Sequence, residues 1–337
     1  MKEEINKDKI GLTHIARELN VSVSTVSRAL NNHPRISKRT KERVRRAATK
    51  LGYFPGIPEL MTPDKTNAVA IVVPSIESCV NRKIIDGVTD EIEKEGYRAI
   101  IVNLNGDETQ ESAFFKTFRK YGISGIVHVN SNRLLPAGFY AAVQKDNIPL
   151  VTLFDTESDL NTCRVVPDLF KGVSRIVNHL KANNTFKITM LLKDENNPVD
   201  NNLVSTFEMV FDNLGLNLND LTVIYPGEAD RQIETLLQNT GQDMAFVVKD
   251  MTSTLEFYTF AQKKGMAIPD DLMLIGVGSD CSLQNLTSGI STLKIPAFKM
   301  GVEAAKLLFS QINGEETLNR TVVIPADFIL KQSAIRI

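Results

Sequence analysis

From residue 67 onward, short and almost wholly apolar runs alternate with stretches in which apolar residues recur at helical spacing. Strands that are apolar throughout and separated by helices are typical of parallel sheets covered on both faces. The pattern therefore predicts an α/β fold for this part of the chain. The predicted strands are 68–74, 97–103, 125–129, 149–154, 187–192, 221–225, 244–248 and 272–278, and the helices between them include 81–95, 169–182, 202–214 and 253–264.

The beginning of the chain has a different sequence pattern, with three short stretches in which apolar residues recur at helical spacing. Ser22 and Ser37 are the predicted N-caps of the second and third helices, because a serine hydroxyl can accept a hydrogen bond from the first helical turn. Gly52 is the predicted end of the third helix. These helices are expected to share one small core. Its predicted members are Leu12, Ile15, Ala16, Leu19, Val26, Ala29, Leu30, Val44, Ala47, Ala48 and Leu51.

The two parts of the chain also differ in charge. Residues 1–60 carry 13 Lys and Arg against 6 Asp and Glu, whereas the remaining residues carry 26 against 34. A basic head joined to an acidic body indicates that the head meets a polyanion. The alternative interpretation is a charged helix surface that only faces solvent.

Cysteine usage and hydropathy indicate where such a protein works. Cys79, Cys163 and Cys281 are odd in number and far apart, so neither a disulfide framework nor a zinc site is predicted. The first residues lack an apolar signal region, and no run approaches the ~18 apolar residues of a membrane span. We therefore expect a cytoplasmic protein in a reducing compartment.

The stretch VSVSTVSRALN, residues 21–31, is typical of the second helix of a helix-turn-helix, which lies in the major groove of DNA. The small side chains Val23 and Ser24 would let the helix axis approach the bases. Arg28 has a planar donor fork suited to guanine or to phosphate. The short donors that can anchor phosphates are Thr25, Ser27 and Asn31, and the basic residues expected to add phosphate attraction include Arg35 and Lys38.

Residues 12–55 resemble the DNA-binding head of the lactose-repressor (LacI/GalR) family of bacterial transcription regulators. The resemblance rests on the motifs V-S-x-x-T-V-S-R-x-L-N, I-S-x-x-T-x-x-x-V and G-Y-x-P. It implies that Val23, Ser24 and Arg28 contact the DNA bases, and that the short donors Thr25, Ser27 and Asn31 contact the DNA backbone. Segments such as DDLMLIGVGSD and KMGVEAAKLL extend the resemblance over the body. It implies a helix-turn-helix head of three helices, followed by a periplasmic-binding-protein-like body of two doubly wound parallel-sheet lobes.

The expected domains are a head at 1–56, a hinge at 57–67 and a body at 68–337. Within the body, we expect lobe 1 at about 68–163 plus 291–320 and lobe 2 at about 164–290 plus 321–337. In the family, the hinge forms a short helix whose leucine enters the minor groove at the operator centre. Here Leu60 or Met61 could serve as that apolar wedge, and a plain flexible linker is the alternative, because Pro58 interrupts the segment.

Two lobes of this kind leave a cleft at the carboxyl ends of their strands, where small ligands bind in open parallel sheets. Carboxylates at strand ends suit polyol ligands, because each can accept two hydrogen bonds from neighbouring hydroxyls. An acid in such a place can equally cap a turn or a helix. The predicted effector-binding residues are Ser75, Asn130, Asp155, Asp168, Asp250 and Asp280.

Three positions in this cleft depart from what the resemblance implies. The family's Asn-Asp pair that touches sugar is Lys249 followed by Asp250, the ligand-clamping arginine is replaced by Leu203, and the arginine expected after Asp155 is Thr156. The expected effector is a small molecule, a sugar or sugar derivative. Another metabolite and loss of the response are the alternatives.

No phosphate-binding, dinucleotide-binding or nucleophile motif is present, and the four histidines lack metal-ligand spacing. No enzymatic activity, cofactor or metal is therefore predicted. We expect a homodimeric, sequence-specific transcription regulator, a repressor, that binds a pseudo-palindromic double-stranded operator and is controlled by the effector between its lobes. The alternatives are a solute-binding protein of the same body fold, and a sugar-active enzyme with a DNA-binding head.

Overall fold

Three short helices form the head in the computed structural model. They are α1 (Leu12–Leu19), α2 (Val23–Leu30) and α3 (Lys38–Leu51). The structure describes residues 12–30, 33, 35–51, 67–104, 122–130, 143, 147–154, 162–195, 197–225, 244–279, 289–315 and 319–336.

The head helices begin where the sequence predicts. The hydroxyl of Ser22 accepts a hydrogen bond from the Thr25 N–H at 3.1 Å, and Ser37 accepts one from the Thr40 N–H at 3.1 Å. Both serines therefore cap their helices. Gly52, the predicted end of α3, lies outside the described residues. The shared core contains Ile15, Ala16, Val26, Ala29, Val44, Ala47 and Ala48, all of them predicted.

The body consists of alternating strands and helices. Its strands are β1 (Ala68–Val73), β2 (Arg98–Asn103), β3 (Ile123–Val129), β4 (Leu150–Leu153), β5 (Cys163–Asp168), β6 (Lys187–Leu191), β7 (Leu221–Ile224), β8 (Met244–Lys249), β9 (Met273–Gly278), β10 (Ser291–Lys294), β11 (Thr321–Pro325) and β12 (Asp327–Ile329). Its helices are α4 (Cys79–Lys94), α5 (Phe170–Ala182), α6 (Pro198–Asn213), α7 (Met251–Lys263) and α8 (Ala297–Ile312).

The described strands form two sheets with equivalent strand orders. The first runs β11-β5-β4-β3-β1-β2, and the second runs β12-β10-β9-β8-β6-β7. All pairs in the first sheet are parallel. In the second sheet the described pairs are parallel except β10 with β12. The predicted α/β fold with two parallel-sheet lobes is confirmed.

The division of the chain between the sheets differs from the expected lobe bounds. Strand β10, expected in lobe 1, pairs with β9 in the second sheet. Strands β5 and β11, expected in lobe 2, pair with each other in the first sheet. The chain therefore crosses between sheets after β5, after β10 and after β11. An apolar pattern marks a strand but not the sheet that it joins, because that choice depends on long-range pairing.

Helices cover the sheets and complete each lobe. Lobe 1 is the first sheet with α4 and α8, which pack on each other and on that sheet. Lobe 2 is the second sheet with α5, α6 and α7. In β8, Ala245 and Val247 belong to the same core cluster as residues of α5 and α6, whereas Phe246 and Val248 pack with Phe257 of α7. Alternate side chains thus bury both faces of the second sheet.

The contact between α4 and α8 depends on glycine. A Cβ atom added at Gly87 would overlap the carbonyl oxygen of Phe298, and one added at Gly301 would overlap that of Ile84. The two helix backbones therefore lie in direct contact, and no side chain can separate them without moving a helix.

None of the helices that the structure describes combines the length and the apolar character that a bilayer crossing requires.

Candidate functional sites: an exposed helix face and an interlobe cavity

Helix α2 has one buried face and one exposed face. Val26 and Ala29 lie in the core of the head, whereas Val23, Ser24 and Arg28 are exposed. Val23 leaves 41% of its surface accessible although it is apolar. An exposed apolar side chain beside small hydroxyls gives this helix a shallow outer surface, on which Arg28 is the longest group.

The hydroxyl groups at the start of α2 form a local network. The Ser22 hydroxyl lies 2.9 Å from that of Ser24 and 2.8 Å from that of Thr25. This network holds the first turn in place and orients the hydroxyls toward solvent, where they can still donate or accept. Ser27 is half-buried one turn later.

The other predicted DNA-binding residues are distributed around α2. Arg35 is exposed in the turn before α3, and its N–H donates to the His33 ring at 3.2 Å. Lys38 is the first residue of α3. Asn31, Leu60 and the predicted hinge up to residue 66 lie outside the described residues.

A cavity of ≈ 420 Å³ lies between the two lobes. Its walls come from the carboxyl ends of β1, β3 and β4 in lobe 1 and of β6, β8 and β9 in lobe 2, together with the first residues of α4, α6 and α7. The lobe 1 wall includes Ser75, Glu77, Ser78, Asn81, Asn130 and Phe154, and the lobe 2 wall includes Lys193, Asn197, Asn202, Leu203, Lys249 and Asp250.

The predicted effector-binding residues divide into three groups. Ser75, Asn130 and Asp250 line the cavity, whereas Asp168 is not among its lining residues. The Asp168 carboxylate accepts a hydrogen bond from the Phe170 N–H at 2.9 Å, at the start of α5. It therefore has the turn-capping role that was the alternative for an acid at a strand end. Asp155 and Asp280 lie outside the described residues.

A charged row on the lobe 2 wall is formed by Asp200, Lys249, Asp250 and Lys193. Sequence analysis singled out Lys249 and Asp250 but missed Asp200, Lys193 and the ion pairs that join the four. The Lys249 ammonium forms an ion pair with Asp200, whose side chain is fully buried. The Lys193 ammonium lies 2.5 Å from the Asp250 carboxylate. The two carboxylates and the two ammonium groups of the charged row balance in formal charge. Asp200 carried no sequence signal, because it lies inside α6 and far from Lys249 along the chain.

Lys249 is the most perturbed base in the charged row. Burial lowers the pKa of Lys249 to about 7, and the nearby positive charge of Lys193 acts in the same direction. The charges of Asp250 and Asp194 oppose this shift. A lysine near half protonation at neutral pH can gain a proton when an anion binds beside it.

Asp250 is held in an unusual conformation. Its φ is 61° and its ψ is 154°, a region that side-chain-bearing residues rarely adopt. Its carboxylate caps α7, accepting from the N–H groups of Thr252 at 2.8 Å and Ser253 at 3.0 Å. Phe154 on the opposite wall also has a positive φ of 62°. Backbone strain of this kind concentrates at binding sites.

A helix-turn-helix head with an exposed helix face, followed by two lobes around a cavity, is the architecture of a bacterial transcription regulator. Residues 11–56 match the family described as "Bacterial regulatory proteins, lacI family", and residues 177–334 match "Periplasmic binding protein-like domain". The chain thus has a LacI-family head and a periplasmic-binding-protein-like body.

Known proteins resemble the chain over nearly its whole length. The HTH-type transcriptional regulator DegA of Bacillus subtilis (strain 168) is 21% identical over 333 residues, which cover 96% of this chain and 98% of DegA. The transcriptional regulator CelR in complex with cellobiose has a TM-score of 0.69 at 18% identity, covering 96% of this chain and 100% of that one. The lac repressor dimer bound to operator and the anti-inducer ONPF has a TM-score of 0.68 at 16% identity, with 97% and 99% covered.

Proposed function

We propose that this regulator reads a pseudo-palindromic operator with α2 and is controlled by a small molecule bound between its lobes. The observation that carries the proposal is the exposed face of α2, where Val23, Ser24 and Arg28 point away from a core that holds Val26 and Ala29. A helix that is shallow at its N-terminus can enter the major groove and bring an arginine to the base edges.

The proposed roles within the head follow from side-chain chemistry. Val23 contacts a thymine methyl or a similar apolar edge, Ser24 contacts a base, and Arg28 donates to guanine O6 and N7. The phosphate-anchoring residues are Thr25, Ser27 and Asn31, with Arg35 and Lys38 adding attraction. Leu60 is the proposed apolar wedge of the hinge.

We propose that the protein acts as a homodimer, because two-fold protein symmetry is mirrored by a palindromic operator. The similar lac repressor structure is a dimer bound to operator, which supports this arrangement. A ligand can then change operator affinity only if it binds more tightly to one arrangement of the two lobes than to another.

The cavity volume of ≈ 420 Å³ suits a small ligand of one or two sugar rings. The similar CelR structure holds cellobiose, which supports a carbohydrate-related effector here. Selection of bound duplexes from a random pool, repeated with candidate metabolites, tests operator and effector together. We expect enrichment of a two-fold symmetric site that one class of metabolite alters; enrichment of no sequence would contradict the proposal.

Arg28→Ala tests base reading directly. If Arg28 contacts guanine through its planar fork, the variant loses about 1–3 kcal/mol of specific binding and relaxes the preference at one base pair. Arg28→Lys is the matched control, since it keeps the charge but lacks the fork. Fluorescence anisotropy with the selected operator and a scrambled duplex measures both. If Arg28→Ala loses the same binding free energy on both duplexes and Arg28→Lys restores it, Arg28 contacts phosphate rather than guanine.

A further inference from the structure

The charged row on the lobe 2 wall determines which ligand groups can bind there. The Asp250 carboxylate already accepts from the N–H groups of Thr252 and Ser253, from the Ser253 hydroxyl at 3.2 Å and from Lys193. A carboxylate has about four lone-pair sites. Asp250 therefore has little capacity left to accept hydrogen bonds from the hydroxyls of a polyol.

Asp200 is equally unavailable to a ligand. Its side chain is fully buried behind the wall. It accepts from the backbone N–H groups of Lys193 at 3.0 Å and Asp194 at 3.2 Å, and it forms an ion pair with Lys249. The acidic groups of lobe 2 thus position the two lysines rather than offering acceptors to the cavity.

The two lysines, in contrast, line the cavity and keep donors that their ion pairs do not use. An ammonium group has three N–H donors, and the ion pair of each lysine occupies one of them. The side chain of Lys193 is 57% exposed and that of Lys249 is 19% exposed, so both can reach a bound molecule. The charged row therefore presents cationic donors to the cavity, whereas its carboxylates offer few free acceptors.

The lobe 1 wall has the opposite character. Asn130 Oδ1 is buried and accepts no hydrogen bond from the described residues, and the Ser75 hydroxyl lies on the same wall. Glu77 adds a carboxylate to this side of the cavity. A ligand that spans the cavity would meet acceptors in lobe 1 and cationic donors in lobe 2.

We propose that the effector carries an oxyanion, a carboxylate or a phosphate, which Lys193 and Lys249 bind, while its hydroxyl groups donate to Asn130 and its neighbours in lobe 1. This inference rests on the proposed function, namely that a small molecule binds in the interlobe cavity. Sugar acids and sugar phosphates have this chemistry. Both lysines lie beside the first residues of α6 and α7, whose helix dipoles add to the attraction for an anion.

Isothermal titration of the full-length protein with matched probes tests the inference. D-gluconate and D-glucose 6-phosphate are the anionic probes, and D-glucose is their neutral counterpart. We expect at least one anionic probe to bind and glucose to bind at least tenfold more weakly. Lys193→Ala should weaken anion binding by about 10- to 100-fold, because charge-assisted hydrogen bonds are lost. Lys181→Ala, an exposed lysine of α5 outside the cavity, should leave binding unchanged.

Lys249 needs a second design, because its removal alone leaves the buried Asp200 charge unpaired. Asp200→Asn combined with Lys249→Gln removes both charges and keeps the wall polar. This double variant should also lose affinity for the anionic probes by tenfold or more while retaining its thermal transition. Binding of D-gluconate would indicate a carboxylate ligand, and binding of D-glucose 6-phosphate would indicate a phosphate ligand.

Two results would overturn the inference in different ways. If glucose binds as tightly as the anions and Lys193→Ala changes nothing, the cavity takes an effector but not an oxyanion. If no probe of either class binds at roughly 10 mM, where even weak complexes form, neither the oxyanion inference nor a carbohydrate-related effector is supported, and both are rejected.

Discussion

Lobe 1 and lobe 2 have the same strand order but make opposite contributions to the cavity between them. Among the described residues, lobe 1 contributes neutral hydrogen-bonding groups such as Ser75, Asn81 and Asn130, together with the Glu77 carboxylate. Lobe 2 contributes the charged row, in which buried and capping carboxylates hold two lysines in place. The difference shows that topology alone does not determine the chemistry of a ligand site.

The two lobes also differ in how their helices pack. In lobe 1, Gly87 and Gly301 bring helix backbones into contact, so the packing of α4 on α8 cannot adjust easily. In lobe 2, a Cβ added at Gly172 would meet the end of the Leu293 side chain at 2.5 Å and the Ala326 carbonyl oxygen at 3.3 Å. A flexible side chain can move aside, whereas a backbone cannot. We therefore infer that the α4–α8 contact of lobe 1 tolerates an added Cβ atom less well than the Gly172 position of lobe 2.

The largest expected effect is on stability, and it contrasts the charged row of lobe 2 with the neutral hydrogen bonds of lobe 1. Lys249→Met should lower the free energy of unfolding by about 3–5 kcal/mol, because it leaves the Asp200 carboxylate buried without its partner. Asp200→Asn with Lys249→Met should recover most of that loss. Asn81→Ala removes a neutral hydrogen bond to the Ser75 carbonyl in lobe 1 and should cost about 1 kcal/mol. Urea unfolding followed by circular dichroism measures all three; equal costs for the two single variants would contradict the contrast.

A smaller loss of stability is expected when glycines at close helix contacts are replaced by alanine. Gly301→Ala should destabilise the protein by about 2–3 kcal/mol through overlap with the Ile84 carbonyl, although alanine is otherwise the better helix former. Gly172→Ala, the matched change in lobe 2, should cost less, about 1 kcal/mol, since Leu293 can adopt another rotamer and the Ala326 carbonyl oxygen would lie at 3.3 Å rather than in overlap. Thermal unfolding of both variants measures the difference. If Gly301→Ala raises the melting temperature, α4 and α8 are not in backbone contact.

Local sequence signals predicted the head and the edges of the cavity. The serine caps of α2 and α3 depend on residues three apart, and the core of the head follows from helical periodicity. Eight strands were visible as apolar runs, and Ser75, Asn130 and Asp250 were found because parallel strands end at the same edge of a sheet.

The features that sequence reasoning missed depend on longer-range contacts. Strand β5 alternates buried and half-buried residues and includes Pro167, so it is no apolar run. Strands β10 and β12 are short, and their assignment to lobe 2 is fixed by pairing with distant segments. The ion pair between Lys249 and Asp200 joins β8 to α6. No local pattern in either segment indicates that contact.

The smallest expected effect is a pH dependence that belongs to lobe 2 alone. The pKa of Lys249 is lowered to about 7 in the free protein by burial and by Lys193, against the charges of Asp250 and Asp194. Asp200 is its ion-pair partner, and Glu77 lines the opposite wall.

A bound oxyanion favours the ammonium form of Lys249 and raises the pKa of this lysine, so binding takes up a proton. Affinity for D-gluconate should be nearly constant below about pH 6 and fall by about tenfold between pH 6 and pH 8, which corresponds to about 1.4 kcal/mol. The carboxylate of the probe titrates near pH 4 and does not contribute. Titration calorimetry in buffers of different ionisation enthalpy measures the proton uptake, and Asp200→Asn with Lys249→Gln is the control that should abolish the slope. A tenfold decrease that persists in this double variant would assign the titration to another group and leave the lysine of β8 without a role in anion binding.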